Sequence, residues 1–224
     1  LLDGNSDYIT SPDSNDWNFG AGDFTLNAFV RFAGIGAQQT IMGQYEDATN
    51  YWFLQITAAN KLQIKFVDGG ATKGDYITAA AIPALAINTW YHIEVVRYGL
   101  VAYIFVDGTS LGLTETTAFA ANNVGDMVAV LTVGQQNAGT WFNGWIDELR
   151  ITKGLARHTS DFTAPTAEYA LGIGTSDITT TYDEADLFNI QYAQNNDVLY
   201  LVHPSYAPRK LSRTSATVFS LSLV

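Results

Sequence analysis

Along much of this chain apolar and polar residues alternate with a period of two. Phe24, Leu26, Ala28, Val30 and Phe32 fall on one face of an extended segment, with Thr25, Asn27 and Arg31 on the other, which is the pattern of a half-buried strand. Similar runs cover residues 51–57, 62–67, 76–80, 92–97, 102–106, 128–133 and 145–152, and Gly, Asn and Asp punctuate the gaps between them. No amphipathic helix separates these runs. Many short strands joined by turns specify an all-β antiparallel sandwich. Gly99, between one strand ending at Arg97 and another starting at Val101, supplies the positive φ of a tight hairpin, and Asp107-Gly108 turns the chain again.

The pattern changes near Tyr169. Gly172, Gly174, Thr175 and Ser176, followed by three threonines, give residues 170–181 the composition of a linker. It joins a domain over 1–169 to a segment over 182–224. That segment reads as strand 188–192, a turn at Asn195-Asn196-Asp197, strand 198–202, a loop over 204–208 and strand 213–223. Three or four such strands cannot bury both of their faces alone, so the segment needs neighbouring sheets. The chain is therefore expected to be a piece of a longer polypeptide, an expectation its Leu1 start also fits.

Composition narrows the function. With 224 residues, 47% of them hydrophobic and 13% aromatic, the chain has enough apolar surface for one large core. No run approaches eighteen consecutive apolar residues and no segment has signal-peptide character, so no membrane segment is expected. The absence of cysteine removes disulfides and thiolate zinc sites. A formal net charge of −11 argues against nucleic acid as a partner, because phosphate binding draws on clustered Lys and Arg. Of the 22 acidic residues, 17 precede residue 170, so the acidity belongs mainly to the first region. It serves solubility, or it holds a cation in loops.

Four segments carry a resemblance. Asp3-Gly-Asn-Ser-Asp-Tyr-Ile9, Phe19-Gly-Ala-Gly-Asp-Phe-Thr-Leu26, Trp90-Tyr-His-Ile-Glu-Val-Val-Arg97 leading into Tyr103-Ile-Phe-Val-Asp-Gly108, and Trp141-Phe-Asn-Gly-Trp-Ile-Asp-Glu-Leu-Arg-Ile-Thr-Lys-Gly154 occur in this order. Together they resemble the laminin-G-like, concanavalin-A-like jelly rolls over residues 1–168. Residues 153–165 then resemble that family's exit segment. Residues 182–213 resemble a propeller-blade repeat of tail nozzle proteins of short-tailed bacteriophages. The two resemblances imply a jelly roll followed by a partial propeller blade. They imply a non-catalytic accessory domain of a phage tail protein in the virion, assembled with other tail subunits in a homo-oligomeric ring and binding a host cell-surface glycan. A purely structural bracing domain is the alternative, and a glycan-cleaving enzyme comes third.

The candidate sites follow from both arguments. Glycosidases of this shape use a Glu-x-Asp-x-Glu run that aims its acids into one cleft, and no such spacing occurs here. Asp147 and Glu148 are adjacent on a strand, so alternation sends them to opposite sides. His92, His158 and His203 have no matching nucleophile and read as structural. The jelly-roll resemblance implies Ca²⁺ held by Asp3, the Gly43 carbonyl and Asp147, with turn and edge-strand hydrogen bonds as the competing role for the two carboxylates. Sugar recognition calls for aromatics that stack on a pyranose and polar groups that meet its hydroxyls. Tyr45, Tyr51, Trp52 and Trp141 are the aromatic candidates, with Gln135, Gln136 and Asn137 beside them, although alternation with Leu54 and Ile56 also suits Trp52 to burial. Trp90, Trp145, Phe142, Phe24 and Tyr103 are expected in the core.

Overall fold

The computed structural model describes residues 1–119, 124–137, 139–167, 169, 180, 182, 189–213 and 219–224, and in it the alternation over 24–32 becomes strand β3 (Phe24–Phe32). The chain divides into two units, Leu1–Ala167 and Glu168–Val224. Residues 170–179 and 181 of the expected linker lie outside the described residues.

The first unit holds two antiparallel sheets. One runs β1 (Leu2–Asp3), β13 (Asn143–Lys153), β3, β8 (Trp90–Tyr98), β9 (Val101–Val106) and β10 (Thr109–Ser110). The other runs β11 (Leu113–Thr117), β7 (Ala71–Thr78), β6 (Leu62–Asp68), β5 (Asn50–Ile56), β4 (Gln39–Asp47), β12 (Leu131–Val133) and β2 (Ile9–Ser11). Alternation decides what lies between the sheets. Leu26, Val30, Ile93, Val95 and Ile104 from the first sheet meet Ile41, Trp52, Leu54, Ile64 and Phe66 from the second. At one end Phe19, Phe24, Trp52, Phe66 and Phe119 cluster, with Phe19 and Phe24 ring centroids 4.7 Å apart. Each buried ring of this kind contributes about 1.5–3 kcal/mol.

Besides the short strands β1, β2 and β10, two longer ones escaped the period-two reading. In β4 a bulge between Thr40 and Met42 turns both Ile41 and Met42 toward the core, which breaks the alternation. The strand β11 carries few apolar residues and pairs only as an edge. The expected strand 128–133 shortens to β12, leaving Val128 and Val130 exposed.

Two corrections concern side-chain direction. Trp90, expected in the core, is 43% exposed, because Tyr91, Ile93 and Val95 take the inward positions of β8. Trp145 and Tyr103 are half-buried on the same outer face for the same reason. In β13 a bulge inserts Glu148 at φ 48° between the core-packed Ile146 and Leu149. Asp147 stays opposite Phe29, an outward position of β3, and both it and Glu148 contribute to the lining of one cavity of about 350 Å³ with Leu2, Ile9 and Val133.

After β13 the chain folds back over the outer face of the six-stranded sheet. The Thr25 hydroxyl donates to the Leu155 carbonyl and accepts from the Arg157 amide, the Ser110 amide donates to Asp161, and the Phe162 amide donates to the Gly108 carbonyl. This exit segment covers Glu94, whose side chain is fully buried.

The second unit is an antiparallel meander of β14 (Gln191–Asn195), β15 (Val198–His203), β16 (Tyr206–Arg213) and β17 (Phe219–Leu223). The expected loop over 204–208 is shorter than anticipated. The strand resumes at Tyr206, and Pro208 sits at the register shift between Leu201 and His203, where a missing N–H costs no ladder bond. Of the long strand expected over 213–223, Arg213 belongs to β16 and Phe219–Leu223 to β17, while residues 214–218 lie outside the described residues. Leu199, Leu211 and Leu221 stand in one row across three strands, yet no described residue of this unit is fully buried.

Candidate functional site

The outward positions of β5, whose inward ones build the core, are Tyr51, Phe53 and Gln55. Tyr51 lies opposite Tyr45 on β4, with ring centroids 5.9 Å apart, and stacks on Phe53 at 6.0 Å with the two planes within 6°. These three rings form an aromatic ladder. Gly43 makes room for it. It pairs with Phe53, and a Cβ there would collide with the Trp52 carbonyl oxygen.

Beside the rings runs a row of carboxamides with one direction. Gln38 Nε2 donates to Gln55 Oε1 (2.8 Å), Gln55 Nε2 to Gln63 Oε1 (2.8 Å), and Gln63 Nε2 to Asp75 Oδ1 (2.7 Å). Asp75 Oδ2 pairs with Lys65 Nζ at 3.3 Å. A carboxylate held by a lysine only accepts, so Gln63 presents its amide nitrogen to Asp75 and every amide upstream follows in turn. The chain fixes which atom of each amide is left for a ligand. Phe53 is 8% exposed and Gln55 4%, so they form the floor, while Tyr45, Tyr51, Gln63 and Lys65 are half-buried at its sides. At the β4–β5 turn the Asp47 carboxyl is held below the usual carboxylate range by the hydroxyl and then the amide of Thr49.

Of the residues singled out in the sequence, Tyr45 and Tyr51 come together here. Trp52 does not: it is 1% exposed inside the core, and its indole N–H donates to Gln44 Oε1 at 2.8 Å. Inward parity on β5 decides against a contact role. Gln135 is buried and belongs to a turn whose carbonyl accepts from the Thr132 hydroxyl, whereas Asn137 is exposed at φ 47°. That turn is anchored at its far end by the hydrogen-bonded hydroxyls of Thr40 and Thr140 (2.7 Å). Trp141 is half-buried against Tyr8, with ring centroids 5.6 Å apart, away from the ladder. Phe53, Gln38, Gln55, Gln63, Lys65 and Asp75 were not singled out. Their period-two positions were visible in the sequence, but the register that sets Gln55 opposite Gln63 was not.

Asp3, Gly43 and Asp147 do not converge. Asp3 pairs with Asn143, four residues before Asp147 on β13, which separates the two by about 13 Å at the rise of a strand. The Asp3 carboxylate accepts from the amides of Ser6, Asn5 and Asp7 and from the Ser6 hydroxyl. These donors hold its pKa far below the ordinary value, the Ser6 amide most of all. Gly43 belongs to the other sheet, and its carbonyl accepts from the Thr132 hydroxyl. Among the described residues no three His, Asp or Glu side chains group as a metal site. The three residues do not fit a calcium shell.

A family model described as the concanavalin A-like lectin/glucanases superfamily matches residues 3–158. Comparison with curated proteins gives no match. Among solved structures, domain 4 of the extracellular arabinanase AbnA of Geobacillus stearothermophilus, in complex with arabinotriose, superposes with a TM-score of 0.52 at 15% identity over 69% of this chain and 70% of that one. Mouse laminin α1 domains LG4-5 give 0.53 at 17% identity, over 69% of this chain and 41% of theirs. A putative carbohydrate binding protein from Bacteroides ovatus gives 0.55 at 15% identity, over 100% of this chain and 59% of its own. At these identities the likeness is one of fold.

Proposed function

The chain belongs to the concanavalin A-like lectin/glucanases superfamily, and from that membership we propose that its first unit is a non-catalytic carbohydrate-binding module using the outer face of the seven-stranded sheet. One observation carries the reading: the ladder Tyr45, Tyr51, Phe53 runs alongside the directed row Gln38, Gln55, Gln63, Asp75. Rings accept the apolar face of a pyranose, and amides fixed by their own hydrogen bonds meet hydroxyls with little ordering cost. The Asp75 oxygens are engaged by Gln63 and Lys65, which suits recognition rather than proton transfer. The carbohydrate-related names of two fold neighbours, the arabinanase domain and the Bacteroides ovatus protein, support the same reading.

In its finer form the module is carried on the tail of a short-tailed phage, where copies in a ring would add avidity to weak single sites. Support for this comes from the resemblance of residues 182–213 to the nozzle blade repeat and from a second unit whose described residues include none that is fully buried.

A glycan array followed by calorimetry on the full chain tests the first-unit reading. Tyr51→Ala is expected to weaken binding of the preferred neutral oligosaccharide at least tenfold while leaving the fold intact. Absence of any bound glycan, or unchanged affinity in Tyr51→Ala, rejects the ladder as the site.

A further inference from the structure

The outer face of the six-stranded sheet is covered over only part of its extent. The exit segment lies across Thr25, Glu94, His92 and Phe105, where the Phe162 ring meets His92 edge-on at 5.8 Å and Phe105 at 5.3 Å. One side-chain row further along β3, three residues stand abreast on neighbouring strands. Trp145 is opposite Arg31 in the β13–β3 ladder, and Arg31 is opposite Trp90 in the β3–β8 ladder. Gly144 permits this close approach, since a Cβ there would collide with the Arg31 carbonyl oxygen.

The arginine is held but not neutralised. Its guanidinium carbon lies 4.4 Å from the centre of the Trp145 ring, a cation–π contact that restricts the side chain. Among the described residues its one hydrogen bond to a side chain, Nη2 to Asn88 Oδ1, is long at 3.4 Å, and its Nε is buried without a partner. Arg31 forms no ion pair among the described residues, although acids outnumber bases 22 to 11 in this chain. The acid nearest in register on that face, Asp147, accepts from the Glu148 amide and forms no ion pair with Arg31 among the described residues. Core packing does not require the arginine, because Val30 and Phe32 on either side of it fill the inward positions of β3.

We propose that Trp90, Arg31 and Trp145 form a second saccharide site, for sugars that carry a carboxylate. A guanidinium matches a carboxylate in two-point geometry, which a neutral sugar does not offer. The exposed Trp90 indole supplies the surface on which the sugar ring stacks. This site lies on the sheet opposite the aromatic ladder and stands whether or not the ladder binds glycan.

The test is a titration of the full chain with trigalacturonate and with its methyl ester, read by the five tryptophan indole N–H resonances. Trigalacturonate is expected to shift Trp90 and Trp145 saturably and to leave the buried Trp52 unmoved. The neutral ester is expected to bind at least tenfold more weakly. Arg31→Gln and Trp90→Ala should each cost at least tenfold, Arg31→Lys less, and Tyr51→Ala nothing. No shift at millimolar trigalacturonate, equal binding of the ester, or unchanged binding in Arg31→Gln overturns the proposal. Should a variant unfold, the acid-against-ester comparison on the unmodified chain decides alone.

Discussion

His158 Nδ1 lies 2.7 Å from Glu94 Oε1, so the segment that leaves the last strand is fastened to a carboxylate completely shielded from solvent. The other carboxylate oxygen accepts from Asn27 Nδ2 at 3.0 Å, and the imidazole stacks on Phe162 with ring centroids 3.7 Å apart. A buried carboxylate stripped of one partner keeps its desolvation cost. His158→Ala is therefore expected to destabilise the first unit by about 1–3 kcal/mol, the range for an unsatisfied buried group. Urea unfolding measures it, and a loss below about 0.5 kcal/mol, the scale of an exposed ion pair, would show the fastening to be ornamental.

Acid should weaken the same sheet through His92. Burial lowers its pKa below the ordinary value near 6.5, against the opposing influence of Glu94 and Asp107. Above that value neither the folded nor the unfolded state holds the proton, and stability does not depend on it. As pH falls below about 6.5 the unfolded chain takes the proton first, so stability declines until the lower folded pKa is reached. Unfolding free energies of the protein and of His92→Gln at pH 7.5 and 5 are the comparison. The variant should show the flatter decline, and equal slopes would place the acid sensitivity elsewhere.

Trp52 separates core from contact. Trp52→Ala is expected to cost about 3–5 kcal/mol, the penalty for deleting a large buried ring. Gly43→Ala should cost about 1–3 kcal/mol by forcing a methyl group against the Trp52 carbonyl. Denaturant midpoints report both. A mild Trp52→Ala that lost glycan binding would restore the contact role and contradict the inward parity of β5.

Metal removal should have no effect on this unit. Asp3 is capped by local amides and Asp147 lies about 13 Å along the sheet from it. Asp147→Asn is expected to shift the melting temperature equally with calcium and with chelator. A loss confined to calcium-containing buffer would reinstate the cation.

Residues 1–167 expressed alone should unfold in one cooperative transition, because their core lies within them. Residues 168–224 alone should show none, since a single sheet layer leaves both faces wet. Calorimetry on the two fragments checks this, and a sharp transition in the second would mean that its Leu199, Leu211, Leu221 row is covered from within.

Period two made much of the sandwich legible. Strand β3 needed no correction, and β5, β6, β8, β9 and β13 ended within two residues of their expected bounds. What the pattern could not convey was register and bulges. The extra residue in β4 hid a strand, and the one in β13 brought Asp147 and Glu148 to the same cavity. The site was legible in part for the same reason. Tyr45 and Tyr51 announce themselves as aromatics, but Gln55 is an unremarkable polar residue until pairing sets it between Gln38 and Gln63. Trp90 and Trp145 were expected inward because they lie in strand motifs shared with the jelly rolls, although the alternation of β8 and β13 gives those places to Tyr91 and Ile146.

The strand order has a consequence for how this chain is made. Among the described residues Leu2 pairs with Gly144, and Ile9–Ser11 pairs with Leu131–Val133. During synthesis these two strands therefore wait for some 120 to 140 residues to follow them before those partners exist. Until those partners emerge, the backbone edges of the two strands are open to a chaperone or to another nascent copy.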